Sequence, residues 1–147
     1  MSPLADRVRG VLRARPWPFH PILFTAFFVL FLYSANLEEV ELGDVLPVLA
    51  LVGGGTALML IVAGLLVGDA RRAALILTPI VVAALAYGHT ARLLRPTGIG
   101  PAVHQAAWLA IIVIAVILAW RGRRFLGVVT RVLNVASLAL VIVSLVS

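Results

Sequence analysis

The side chains that could do chemistry are few, and they gather near the ends of long apolar runs. Tyr33, Ser34, Asn36, Glu38 and Glu39 close one run, and Tyr87, His89, Thr90 and Arg92 close another. Placed at one membrane level, Tyr33, Asn36, Glu39, Tyr87, His89 and Arg92 read as a hydrogen-bonded polar cluster supporting an outer loop or a partner domain. His89 and His104 with nearby carboxylates could bind a divalent ion, because imidazole and carboxylate suit several metals. The spacing argues against it: there is no i, i+4 histidine pair, no HExxH-like run and no cysteine. A GxxxxGK[ST] phosphate loop and a GxSxG nucleophile elbow are also missing from the sequence. No catalytic residue, cofactor site or metal ligand is therefore assigned, and the chain by itself is not expected to be an enzyme. A membrane enzyme acting on lipid-linked substrates at the outer face would have to rest on His89, Glu39 and Arg92.

The elements that must position these residues follow from composition. Of 147 residues, 63% are hydrophobic and 12% charged, where an ordinary soluble domain runs at about 45–50% and about 25%. So apolar a chain is neither a typical soluble enzyme nor disordered. A bilayer core of about 30 Å takes roughly 20 apolar residues in a helix, and five runs qualify, at about 21–37, 45–67, 70–89, 102–120 and 125–146. They are too long and too evenly apolar to be the alternating strands of a membrane barrel. The expected fold is all-α: a polytopic membrane protein whose residues 18–147 form a bundle of five transmembrane helices, with the lipid bilayer as its first partner. Residues 1–17 are a basic segment in which Leu4, Val8, Val11 and Leu12 recur at helical spacing. It reads equally as a short amphipathic helix on an anionic leaflet or as a basic tail.

Charge placement sets the orientation. The sequence has twelve arginines, no lysine and six acids. Arginine in short loops stays on the cytoplasmic side, whereas acids have little influence. Arg7, Arg9, Arg13 and Arg15 precede the first span, Arg71 and Arg72 join the second to the third, and Arg121, Arg123 and Arg124 join the fourth to the fifth. Only Arg92 and Arg95 lie opposite, on the side of the loop that carries Glu38, Glu39, Glu41 and Asp44. The expected location is the bacterial inner (plasma) membrane, with the N-terminus cytoplasmic and, after five spans, the C-terminus extracytoplasmic. The first span is read as a retained anchor, since Tyr33-Ser34-Ala35 puts a bulky side chain where signal cleavage needs a small one. The basic clusters lack interleaved aromatics, so nucleic acid is not an expected partner.

Within the spans, Gly53, Gly54, Gly55, Gly64 and Gly68 predict close helix–helix contact, and Pro79 predicts a kink beside Thr78. Tyr33, Tyr87 and Trp108 fit an aromatic belt at one interface, Trp17 and Trp120 at the other. Arg131 lies within snorkelling reach of the inner headgroups. Asn134 reads as interhelical glue, and His20 beside Pro21 as a helix-start residue. No span carries a buried carboxylate on which a proton or cation pathway could run. A small oligomeric transporter or channel component would have to use Thr56, Thr78, Asn134 and Ser137.

The run His20-Pro21-Ile22-Leu23-Phe24, continuing to Leu30-Phe31-Leu32-Tyr33-Ser34-Ala35-Asn36, resembles the opening of the multi-span membrane module that precedes the extracytoplasmic domain of bacterial sulfatase-like hydrolase/transferase proteins of the alkaline phosphatase superfamily. The acidic loop Glu38 to Asp44, the basic-to-apolar start Arg71 to Leu77, the Tyr87-Gly88-His89 ending and the Leu133-Asn134 pair are similar too. In such proteins a catalytic domain follows the last span. The 147 residues contain neither its metal-binding carboxylates nor its nucleophile, so the resemblance implies a membrane anchor or scaffold. The partners it implies are an extracytoplasmic domain or protein, with a second copy of the chain as a further candidate.

Overall fold

The computed structural model describes residues 16–122 and 124–146. The basic segment before Pro16, with Arg7, Arg9, Arg13 and Arg15, lies outside the described residues, as does Arg123. Five α-helices carry the described chain: α1 His20–Ser34, α2 Leu42–Val67, α3 Ala70–Leu94, α4 Pro101–Arg121 and α5 Leu126–Val146. A short 3-10 turn, Arg95–Thr97, follows α3. The fold is an all-α membrane-type bundle, and α2, α4, α5 and α3 extended through its 3-10 turn are each long and apolar enough to cross a bilayer.

Local sequence explains where each helix starts and stops. Hydrocarbon has no partner for a free amide or carbonyl, so an apolar run of this length satisfies its backbone as helix. Pro21 sits in the first turn of α1 and Pro101 in that of α4, where a missing N–H removes nothing from the ladder. Gly68, at φ 73°, ends α2 by donating its N–H to Gly64 O at 2.9 Å, a left-handed conformation that glycine adopts without a Cβ penalty. Asp69 then caps α3, accepting the Arg71 N–H at 2.9 Å. Two residues thus reverse the chain between the two longest helices. Burial opposes ionisation of Asp69, but the Arg71 side chain, the amides of Arg71 and Arg72 and the Arg71 charge outweigh it and hold the carboxyl below its usual value.

The first span departs from its expected extent of 21–37. Its helix is the 15-residue α1, which ends at Ser34 because the chain turns there: Asn36 N–H donates to Tyr33 O and Glu39 N–H to Asn36 O. At 1.5 Å per residue α1 rises only about 22 Å. That is short of a hydrocarbon core of about 30 Å, and a non-helical lead-in, Pro16–Phe19, precedes the helix. The other four helices begin and end near the limits read from composition, α2 and α3 running longer at the ends away from the Gly68–Asp69 turn. The α3 helix continues unbroken through Pro79, beside which the Thr78 hydroxyl donates to Ala74 O at 2.8 Å.

α1 and α3 form the centre. α1 packs on α5, α2 and α3, and α3 packs on α2, α4 and α1, whereas α4 leans mainly on α3. The pairs Thr25–Thr56, Arg72–Trp120 and Phe31–His89 fix the directions: α2 and α4 run antiparallel to α1 and α3, with α5 parallel to α1. Ala73, Ala74 and Ala119 are fully buried or nearly so. The glycine reading is corrected here. A Cβ built on Gly53, Gly54 or Gly55 would meet nothing within 4 Å, and only Gly64 approaches a neighbouring helix, with Ala70 Cα at 3.6 Å. The triplet thus makes no close approach within the chain, whereas Gly64 does, where α2 meets the start of α3.

Candidate functional site

Buried hydroxyls are the commonest polar groups between the helices, and nearly all are satisfied locally. Thr25, Thr56, Thr78, Thr130, Ser137 and Ser144 each donate to the carbonyl four residues earlier on their own helix. That bond hides a polar group in an apolar bundle without a distant partner. Thr25 and Thr56 also meet across α1 and α2 at 3.0 Å. Of the residues that a transport pathway would use, Thr56, Thr78 and Ser137 are thus bonded to their own helix backbone.

Two denser polar nodes stand apart from this pattern. At the arginine-rich end, Asn134 of α5 joins the start of α1. Its Oδ1 accepts the His20 backbone N–H at 3.0 Å and His20 Nδ1–H at 3.1 Å, and its Nδ2 donates to Trp17 O at 2.7 Å. Because a carboxamide oxygen only accepts, the His20 ring proton is on Nδ1. Trp17 O belongs to the non-helical lead-in, so Asn134 ties down backbone that no helix ladder satisfies.

The second node is at the opposite end, between α3 and α4. His104 Nε2 receives Trp108 Nε1–H at 3.0 Å and lies 2.9 Å from Thr90 Oγ1, while Tyr87 stacks on the imidazole with ring centroids 4.6 Å apart. Trp108 can only donate, which makes Nε2 an acceptor and puts the ring proton on Nδ1. That Nδ1 is buried and has no hydrogen-bond partner. His104 is only 5% exposed and borders a cavity of about 280 Å³ together with Tyr87, Ala91, Leu94, Arg95, Ile99 and Pro101. A second cavity of about 280 Å³ lies at the arginine-rich end, by Pro16, Trp17 and the Gly68–Arg71 turn. An apolar groove of about 410 Å³ runs between α1 and α2 from Val29 to Val48.

The six outer-face residues singled out by sequence are divided among separate contacts. Tyr87 belongs to the His104 node. His89 stands edge-on to Phe31 at 6.0 Å, and Asn36 Nδ2 donates to Leu32 O of its own helix at 2.6 Å. Glu39 and Arg92 are exposed. Among the described residues, no side-chain hydrogen bond or ion pair joins any two of the six, and no three His, Cys, Asp or Glu side chains are gathered as metal ligands. Of the arginines, Arg71, Arg72, Arg121 and Arg124 sit at one end of the bundle. Arg71 pairs with Asp69 at 3.3 Å, and the Arg72 guanidinium lies 5.4 Å from the Trp120 ring centroid. Arg92 and Arg95 sit at the other end, and Arg131 is half-buried on α5.

Sequence reasoning considered His104 only for a metal site that it set aside, placed Trp108 in an aromatic belt, and gave Tyr87 to both that belt and the outer-face polar cluster. The signal that finds the node is a pair of spacings: Tyr87 and Thr90 three apart on one helix, His104 and Trp108 four apart on the next, each pair on one face. Comparison with protein-family models, curated proteins and solved structures finds no match to this chain.

Proposed function

We propose that this chain is a five-pass membrane module that acts as a non-catalytic anchor or scaffold and delivers the end of α5 to the extracytoplasmic side of a bacterial inner membrane. The observation that carries the reading is the one-sided distribution of arginine. Arg71, Arg72, Arg121 and Arg124 share the end at which α1 begins, and the acidic loop of Glu38, Glu39, Glu41 and Asp44 lies at the other. In this reading α1 and its lead-in make a fifth crossing beside the four helices long and apolar enough to span.

Two further points support the reading. The hydroxyls that could line a solute path donate instead to backbone of their own helices, and Asn134 is occupied by α1 and its lead-in. The resemblance to the membrane part of sulfatase-like proteins also fits a module whose work is done by an attached or docked extracytoplasmic partner.

The test is a pair of reporters fused after Ser147, one active only outside the cytoplasm and one fluorescent only within it. The expected result is activity from the first and silence from the second; the reverse pattern overturns the reading. Saturable solute flux through reconstituted vesicles would overturn the scaffold role even with that orientation intact.

A further inference from the structure

We propose that the groove between α1 and α2 is the docking site for a second copy of this chain, which seats the corner between its own α3 and α4 there with Arg95 against Asp44. The groove is the receiving half. Val29, Leu32, Val40, Val45 and Val48 give it an apolar wall around about 410 Å³, and Asp44 lines it where α2 begins. Glu38, Glu39 and Glu41 stand on the loop that closes the same end, and all four acids are exposed. None of them has an ion-pair partner among the described residues, whose salt bridge, Arg71–Asp69, is at the far end of the bundle.

The corner from α3 to α4 has the complementary character. Arg92 and Arg95 are exposed there, equally without an ion-pair partner among the described residues. Leu93, Ile99 and Val103 stand out beside them, 62%, 41% and 63% exposed. Corner and groove share one membrane level: α1 gives way to α2 at the end where α3 gives way to α4, and Phe31 meets His89 across α1 and α3. They nevertheless belong to different faces. Arg95 lies beside Ile99, Pro101 and His104, and α4 leans mainly on α3 rather than on α1 or α2.

An acid-rimmed apolar groove and an arginine-flanked apolar corner match in both charge and hydropathy. Apolar contact at the centre with opposite charges around it is the usual anatomy of an interface, and the charges set partner and register. The occupant follows from the arginines. Basic residues are scarce at the outer ends of membrane helices, so, on the orientation proposed above, few partner helices bring one to this level, whereas a second copy brings two. Because the surfaces differ, the contact is head-to-tail, and its repetition closes a ring or extends a row.

The sequence has no cysteine, so an introduced pair reports its own contact alone. Two differently tagged full-length copies are co-expressed and treated in native membranes with a short bifunctional maleimide, one carrying Leu32→Cys on the groove wall and the other Val103→Cys on the corner. In the control, Val146→Cys, exposed at the same end of the bundle on α5, replaces Val103→Cys. A heterodimer band several times stronger than the control is expected. Arg95→Glu in the corner copy should lower it about fivefold, as should Asp44→Arg in the groove copy, and the two together should restore it to within about twofold. Restoration separates a charge pair from damage to folding. The cross-link reads contact and not sidedness, so it can fail while the reporter fusions succeed, and the reverse. A band no stronger than the control, charge reversals without effect, or a double change that restores nothing overturns the proposal. So does labelling of Leu32→Cys by a lipid-soluble maleimide with no heterodimer, which gives the groove to lipid, or its cross-linking to another protein instead.

Discussion

The Asn134 node and the His104 node use similar groups to different ends. Asn134 links residues 114 apart in sequence, joining the last helix to the lead-in of the first, and all its hydrogen-bonding capacity toward α1 is spent on backbone and on one imidazole nitrogen. His104 links neighbours, with Thr90 only 14 residues away across a short connection, and its ring keeps a buried Nδ1 without a partner. In an apolar bundle, a polar cluster that closes a long loop stabilises the fold. One that spans a local hairpin joins helices that the short connection already holds side by side.

The comparison can be broken by removing the long-range node first. Asn134→Ala leaves the His20 amide and imidazole N–H and Trp17 O without their partner, and we expect a loss of about 1–3 kcal/mol, read as a lower midpoint in denaturant titration of the protein in detergent. A change no larger than that of a surface substitution would mean that the node does not hold α1 in place. Next in size is the contrast between the two small-residue sites. Ala74→Leu overpacks the fully buried face of α3 and should lose about 1–3 kcal/mol. Gly54→Ala meets nothing within 4 Å and should gain up to about 1 kcal/mol from helix propensity. Equal losses at both would restore the glycine triplet as a packing surface within the chain.

Asp69→Ala removes the cap of α3 and should cost about 1 kcal/mol. It carries a pH signature as well. The folded carboxyl titrates below its unfolded value, so its contribution is complete above the unfolded pKa and disappears as pH falls through the lowered folded one. Acid denaturation curves of wild type and Asp69→Ala should therefore converge at the acid end. A gap that persists unchanged there would mean that the carboxylate charge is irrelevant. The smallest effect is expected at the local node. Thr90→Val removes one hydroxyl contact to His104, and polar contacts between membrane helices average about 0.6 kcal/mol. A loss there rivalling that of Asn134→Ala would erase the distinction between the two nodes.

Much of this architecture could be read before any tertiary contact was known. Hydrophobic run length gave the helix count because an unpaired amide in lipid is so unfavourable that a long apolar segment has few alternatives to helix. Gly68 was read from sequence as a packing residue, and the structure makes it instead the left-handed stop of one helix, with Asp69 capping the next. The length of α1 was less legible, because Ser34, Ala35 and Asn36 are compatible with either a last helical turn or a loop, and the turn formed by Asn36 and Glu39 decides between them. The polar tips misled in a different way. Sharing one membrane level does not bring side chains together unless the helices carrying them also face each other: Tyr87 turns to α4 and His89 to α1, although they are two residues apart.

Composition and charge order thus determined, from the sequence alone, that the chain is a helical membrane protein with opposed arginine-rich and acidic ends, because burial of apolar area and the exclusion of arginine from hydrocarbon depend on local windows of residues. Rotation of each helix about its axis was left to the tertiary structure. That choice buried Ala73, Ala74 and Ala119, left Gly53, Gly54 and Gly55 without close neighbours, matched Asn134 to His20, and buried His104 Nδ1 without a partner. In a helix that is apolar on every side no amphipathic stripe marks the inner face, so only packing against the other four can select it.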